Sequence, residues 1–93
     1  MSKPKLTLYV MGSSSRTAQA MKHLVEHLAA SNDSIEYSVV DLLLHPEIAE
    51  QERIFATPML VKSEPPPKKK IVGDMANREL IWKRFGISEQ VEA

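Results

Sequence analysis

The sequence predicts a mixed α/β domain in the order β-α-β-α-β-β-α, and three observations carry that reading. A chain of 93 residues has room for one hydrophobic core, so residues 1–93 read as a single domain. Apolar residues alternate with polar ones in short strand-like runs, and recur at helical spacing between them. Clusters of Ser, Asn, Asp, Gly and Pro separate those runs. An apolar share of 43% with 26% charged residues fits a folded chain and argues against disorder.

Each element has its own signal. Lys5 to Met11 opens with Leu6, Leu8 and Val10 alternating against Thr7 and Tyr9, then runs apolar to Gly12, as in a strand covered on both faces. Ser13, Ser14 and Ser15 offer an N-cap. On the helix that follows, Thr17, Met21, Leu24, Val25 and Leu28 form the predicted inward face, with Arg16, Gln19, His23, Glu26 and His27 opposite. Turn chemistry at Ser31 to Ser34 leads into a strand from Ile35 to Asp41. Strand, long helix, strand predicts a parallel pair with a right-handed crossover. Pro46 suits the first turn of a short helix carrying Ile48, Ala49 and Arg53. After a break at Ala56-Thr57-Pro58 comes a short strand, Met59 to Val61, with Lys62 and Ser63 tailing off. Pro65, Pro66 and Pro67 cannot pair in a ladder and read as a loop. Lys70 to Val72 reads as a strand antiparallel to its predecessor. Gly73-Asp74 reads as a turn and N-cap for a last helix with Leu80, Ile81 and Phe85, closed by Gly86 at C′. Ser88 to Ala93 reads as a frayed tail.

Composition excludes several functions. Twelve Lys and Arg balance twelve Asp and Glu, so the strongly basic surface of a nucleic-acid binder is absent. Without cysteine there is no disulfide, thiolate metal site or cysteine nucleophile. The N-terminal residues lack the apolar stretch of a signal peptide, and no run approaches the length of a membrane span. The expectation is a cytoplasmic protein without membrane contacts.

The element order, with Thr57-Pro58 just before the third strand, resembles the thioredoxin-like fold. That resemblance implies a cis peptide at Pro58. A closer resemblance covers nearly the whole chain. Leu8-Tyr9-Val10-x-Gly12, Asp41-Leu42-Leu43 with Pro46 and Ala49-Glu50, Ile54 to Leu60, Pro65-Pro66-Pro67, and Ile71-Val72-Gly73-Asp74 with Arg78-Glu79 are, in that order, similar to the KaiB family. The resemblance implies a small adaptor that binds the KaiC ATPase ring in circadian timekeeping, and homo-oligomers (dimer or tetramer). It also implies two folds for related chains, the thioredoxin-like form that binds KaiC and a tetrameric form with a rearranged C-terminal half. Short, weakly periodic segments and four prolines in that half (Pro58, Pro65, Pro66, Pro67) suit such ambiguity, because X-Pro bonds isomerise slowly. Clock members carry Gly-x-Asp where this chain has Arg84-Phe85-Gly86. Arginine is the better helix former by about 1 kcal/mol, so Arg84 and Gly86 favour the thioredoxin-like form.

Each candidate site also has a plainer reading. His23 and His27 fit an H-x-x-E-H pattern, but a catalytic zinc also needs a third ligand and a cleft. They read as an exposed polar helix face with no metal. A serine of Ser13-Ser14-Ser15 could activate glutathione, yet an N-cap is the simpler role. The PPPKKK segment reads as a stiff loop with a solvated lysine cluster. The resemblance carries over Arg53 and Lys22 as partner-binding cations, while Gln19 departs from the family's arginine. Glu36, Ser38 and Val40 would be free for strand addition, because the second strand lies at a sheet edge. The function expected is a non-enzymatic adaptor, with no cofactor, that modulates a KaiC-like ATPase in a clock, timer or stress-response system. The alternative is a small thioredoxin-fold redox or glutathione-binding enzyme.

Overall fold

The computed structural model describes residues 3–31, 34–73 and 75–87. The elements come in the expected order: β1 (Lys5–Val10), α1 (Ser15–Ala29), β2 (Glu36–Asp41), α2 (Pro46–Gln51), β3 (Met59–Glu64), β4 (Lys69–Val72) and α3 (Arg78–Phe85). They build one four-stranded sheet in the order β2-β1-β3-β4. β1 pairs with β2 in parallel, and β3 runs antiparallel to both β1 and β4. The peptide bond between Thr57 and Pro58 is cis, as are those preceding Pro65 and Pro67.

Strand alternation sends side chains to two faces. Leu6, Leu8, Val10 and Leu60 meet Ala20 and Leu24 of α1 and Ile81, Trp82 and Phe85 of α3. Tyr9, Met59 and Val61 face the other way, onto Leu42, Ile54, Ile48 and Ala49 around α2. The sheet is therefore covered by two helices on one side and a single short helix on the other. Each fully buried leucine, such as Leu8 or Leu60, contributes about 1.5–3 kcal/mol.

Ser14 caps α1, its Oγ accepting from the Thr17 amide at 3.1 Å. The inward face of α1 differs from the expected one. Thr17, Leu24 and the partly buried Leu28 face inward as expected, Ala20 and His27 join them, and Met21 and Val25 are exposed. The period is right and the face is turned toward Ala20 and His27. A small residue, Ala20, lies at the core contact, and His27 is admitted because its ring nitrogen finds a carbonyl. Tyr37 and Val39 of β2 are likewise exposed, since β2 is an edge strand.

Two helix ends also depart from expectation. α2 stops at Gln51, short of Arg53. Arg53 takes φ 56°, and the Ile54 amide donates back to the Ala49 carbonyl at 2.8 Å. This is a Schellman closure with arginine in the left-handed position that usually selects glycine. The last helix begins at Arg78, where the Asn77 side chain accepts from the Leu80 amide at 3.0 Å, so Asn77 is the cap. The expected cap, Asp74, lies outside the described residues, as does the tail after Ile87. β3 extends through Lys62, which is buried and donates to the Pro65 carbonyl at 2.7 Å.

Candidate docking surface

The end of the sheet where β1 and β2 finish is organised by one carboxylate. Asp41 closes β2, and its Oδ1 accepts from the Gly12 amide at 3.0 Å and the Leu43 amide at 2.9 Å. It thereby ties the β1–α1 loop to the β2–α2 loop. Those two amides hold its carboxyl below the usual aspartate value. Glycine suits this position because its φ is +64°, and a Cβ would also push aside the exposed Leu43 side chain, whose Cδ1 lies 2.6 Å from where it would stand.

With the loops fixed, their apolar side chains point outward. Met11, Leu43 and Leu44 are exposed, Leu44 to 73%. Met59 lies opposite Tyr9, so the segment before β3 leaves the sheet at this same end. It carries Phe55, 85% exposed. Isolated exposed apolar residues are ordinary, but four on the loops at one end of a small sheet make that end a candidate interaction surface. None of the four was singled out from sequence as a binding residue. The available signal was apolar residues inside segments punctuated by Gly, Pro and Thr, where burial is not expected.

Arg53 stands exposed between α2 and Phe55. Its backbone is braced from β4, on the same face of the sheet. Lys70 Nζ donates to the carbonyls of Glu52 at 2.7 Å and Arg53 at 3.3 Å, placing a cation at the negative end of α2. Lys68 pairs with the Glu52 carboxylate at 3.0 Å. Two lysines of the PPPKKK segment thus have structural contacts and do not merely solvate the surface.

The other candidates are dispersed. Lys22 is exposed on α1, across the sheet from α2. Pro65, Pro66 and Pro67 form the β3–β4 loop, at the far end from Phe55. Arg84 is exposed near the end of α3, and Gly86 closes that helix at φ 70°. β2 is an edge strand as expected, but Glu36, Ser38 and Val40 are not its open positions. The Glu36 amide donates to the Pro4 carbonyl and the Leu42 amide to the Val10 carbonyl. By strand alternation, even-numbered residues of β2 direct their backbone groups to β1, and Tyr37 and Val39 present theirs to the open edge. The side chains of Glu36 and Ser38 also reach β1, to Lys5 at 4.0 Å and Thr7 at 3.3 Å.

His27 and Ser14 both have structural partners. His27 lies on the buried face, not the solvated one, and no three potential ligands gather among the described residues. Ser14 Oγ is engaged by Thr17, accepting from its amide and donating to its hydroxyl at 3.2 Å. No described helix is long and apolar enough to cross a membrane.

Known proteins share both the sequence and the fold. The KaiB domain family matches residues 7–85. The circadian clock oscillator protein KaiB of Trichodesmium erythraeum is 40% identical over 77 residues, which span 82% of this chain and 74% of that protein. The circadian clock protein KaiB3 of a Synechocystis species is 38% identical over 82% of this chain and 76% of its own length. Among solved structures, the N-terminal domain of SasA from Synechococcus elongatus superposes with a TM-score of 0.75 at 21% identity, covering 99% of this chain and 91% of that one. Mitochondrial thioredoxin 3 of Saccharomyces cerevisiae gives 0.72 at 19% identity, covering 89% and 76%. The fold is thioredoxin-like, and the chain belongs to the KaiB family.

Proposed function

We propose that this chain is a non-enzymatic adaptor, a single KaiB-like domain over residues 1–93, that docks on a KaiC-like hexameric ATPase. Docking modulates the partner's ATPase activity or phosphorylation state in a clock, timer or stress-response system of the cytoplasm. The observation that carries this reading is the exposed Met11, Leu43, Leu44 and Phe55 at one end of the sheet, in a family whose named relatives are circadian clock proteins. Such a surface gives apolar burial at the centre of an interface, and Arg53 beside it supplies a charge at the rim. Lys22 and the β2 edge, through Tyr37 and Val39, extend the contact set. We also propose that the segment from Pro58 through the Pro65–Pro67 loop to Arg84 and Gly86 governs the balance between this fold and a rearranged, oligomeric one. The enzyme reading has no support in the site: cysteine is absent and Ser14 is committed to its cap.

The test is association of the purified chain with a KaiC-type ATPase, read by gel filtration and calorimetry. Arg53→Glu is expected to weaken association, chiefly by slowing encounter and changing its salt dependence, because reversing a rim charge turns attraction to the partner into repulsion. Unchanged affinity at unchanged circular dichroism overturns the docking face.

A further inference from the structure

The side chain of His27 joins the two halves of the chain. It projects from α1 and is only 5% exposed. Its Nε2 lies 2.6 Å from the carbonyl oxygen of Met75, in the connection between β4 and α3. A carbonyl can only accept, so Nε2 carries the proton and donates. The ring also meets Trp82 of α3 edge-on, at 6.0 Å between centroids. Met75 itself is buried and holds φ 64°, a conformation that non-glycine residues keep only where their surroundings impose it. One imidazole therefore holds both a strained residue and the helix that follows it.

We propose that His27 is a pH-sensitive latch: neutral, it holds the β4–α3 connection against α1, and protonated, it loosens that connection. The neutral ring already supplies the proton for the Met75 bond, so a second proton adds charge without adding that contact. Burial disfavours the charge most strongly. Arg78 on α3 and His23, stacked on α1 at 6.4 Å, also disfavour it. The Met75 carbonyl and Glu26 on α1 act the other way. The net effect lowers the histidine below its ordinary value of 6.5. The unfolded or detached segment then takes up the proton first. Stability of this contact is full above the ordinary value and falls as the pH drops from there toward the lower native one. This inference rests on the fold alone and is independent of the partner proposed above.

The test uses the full chain. Histidine signals and Trp82 fluorescence are followed from about pH 7.5 to about pH 5, the range in which histidine switches. Trp82 is the single tryptophan, so its emission reports this contact. The expected result is a His27 titration below 6.5, with Trp82 emission and the Met75 and Ala76 amide signals following the same curve. Hydrogen exchange in α3 should quicken several-fold beyond its intrinsic pH dependence. His27→Gln keeps an N–H donor but cannot charge, so its α3 should lose that acid response. A His27 titration at or above 6.5, α3 protection indifferent to it, or an undiminished acid response in the variant overturns the latch. Should the variant not fold, the titration of the unaltered chain decides by itself.

Discussion

The ends of α2 and α3 close with the same backbone geometry and opposite residue choices. At α3, the Gly86 amide donates to Lys83 at 3.2 Å and the Ile87 amide to Trp82 at 2.8 Å. At α2, the Arg53 amide donates to Glu50 at 3.3 Å and the Ile54 amide to Ala49 at 2.8 Å. In both, the residue that closes the helix end, Arg53 or Gly86, is left-handed and the next residue packs inward: Ile54 within one core, Ile87 against the other. Glycine holds that conformation without steric cost, whereas an L-residue there costs roughly 1–2 kcal/mol. The Lys70 ammonium braces the α2 end. Local stability explains Gly86. It does not explain Arg53, an exposed residue two positions before the exposed Phe55. A side chain kept where the backbone disfavours it points to a role outside the fold.

The largest expected effect breaks the comparison at its ordinary end. A Cβ at Gly86 meets no atom within 4 Å, so Gly86→Ala isolates the backbone cost. Loss of about 1–2 kcal/mol in urea unfolding is expected. A change near zero would show that the left-handed position carries no strain in this chain, and Arg53 would need no special explanation. The converse substitution, Arg53→Gly, should stabilise the chain by less than the strain relieved, about 1–2 kcal/mol, because the freedom glycine adds to the unfolded state offsets about 0.4–1 kcal/mol of it. Destabilisation would mean that packing of the arginine stem holds the α2 end. The smallest effect is confined to acid. Asp41 is held below its ordinary value of 3.8 by the Gly12 and Leu43 amides. Its contribution is present above that value and is lost as the pH falls through the lower native one. Asp41→Asn should flatten the acid arm of a pH–stability profile and leave α3 protection unchanged. An acid arm equal to that of the unaltered chain would show that the docking end is not held by this carboxylate.

The legible parts of this molecule are those where one residue type decides the backbone. Pro46 starts α2, Ser14 caps α1, Gly12 ends β1 and Gly86 closes α3, each for a reason visible in the chain. Strand alternation in Leu6, Leu8 and Val10 likewise names the face that meets α1 and α3. What stayed hidden depends on partners distant in sequence. His27 reads as polar until Met75 is brought within hydrogen-bond reach, and the buried Lys62 until Pro65 is. The rotation of α1 follows from Ala20 at the core contact, where small size matters more than hydrophobicity. The open positions of β2 depend on the pairing parity with β1, which alternation within β2 alone does not contain. In the sequence, Phe55 is one residue of the Ile54 to Leu60 segment. Its exposure emerges only once β3 is paired and the segment before it is left outside the core.

A docking role for Arg53 at a cost to the fold sets stability against binding, so the decisive measurement pairs the two in one variant. Arg53→Gly should unfold at higher urea than the unaltered chain and yet bind a KaiC-type ATPase more weakly in calorimetry. A more stable variant with undiminished affinity would contradict the account, leaving the arginine without a function at the surface assigned to it.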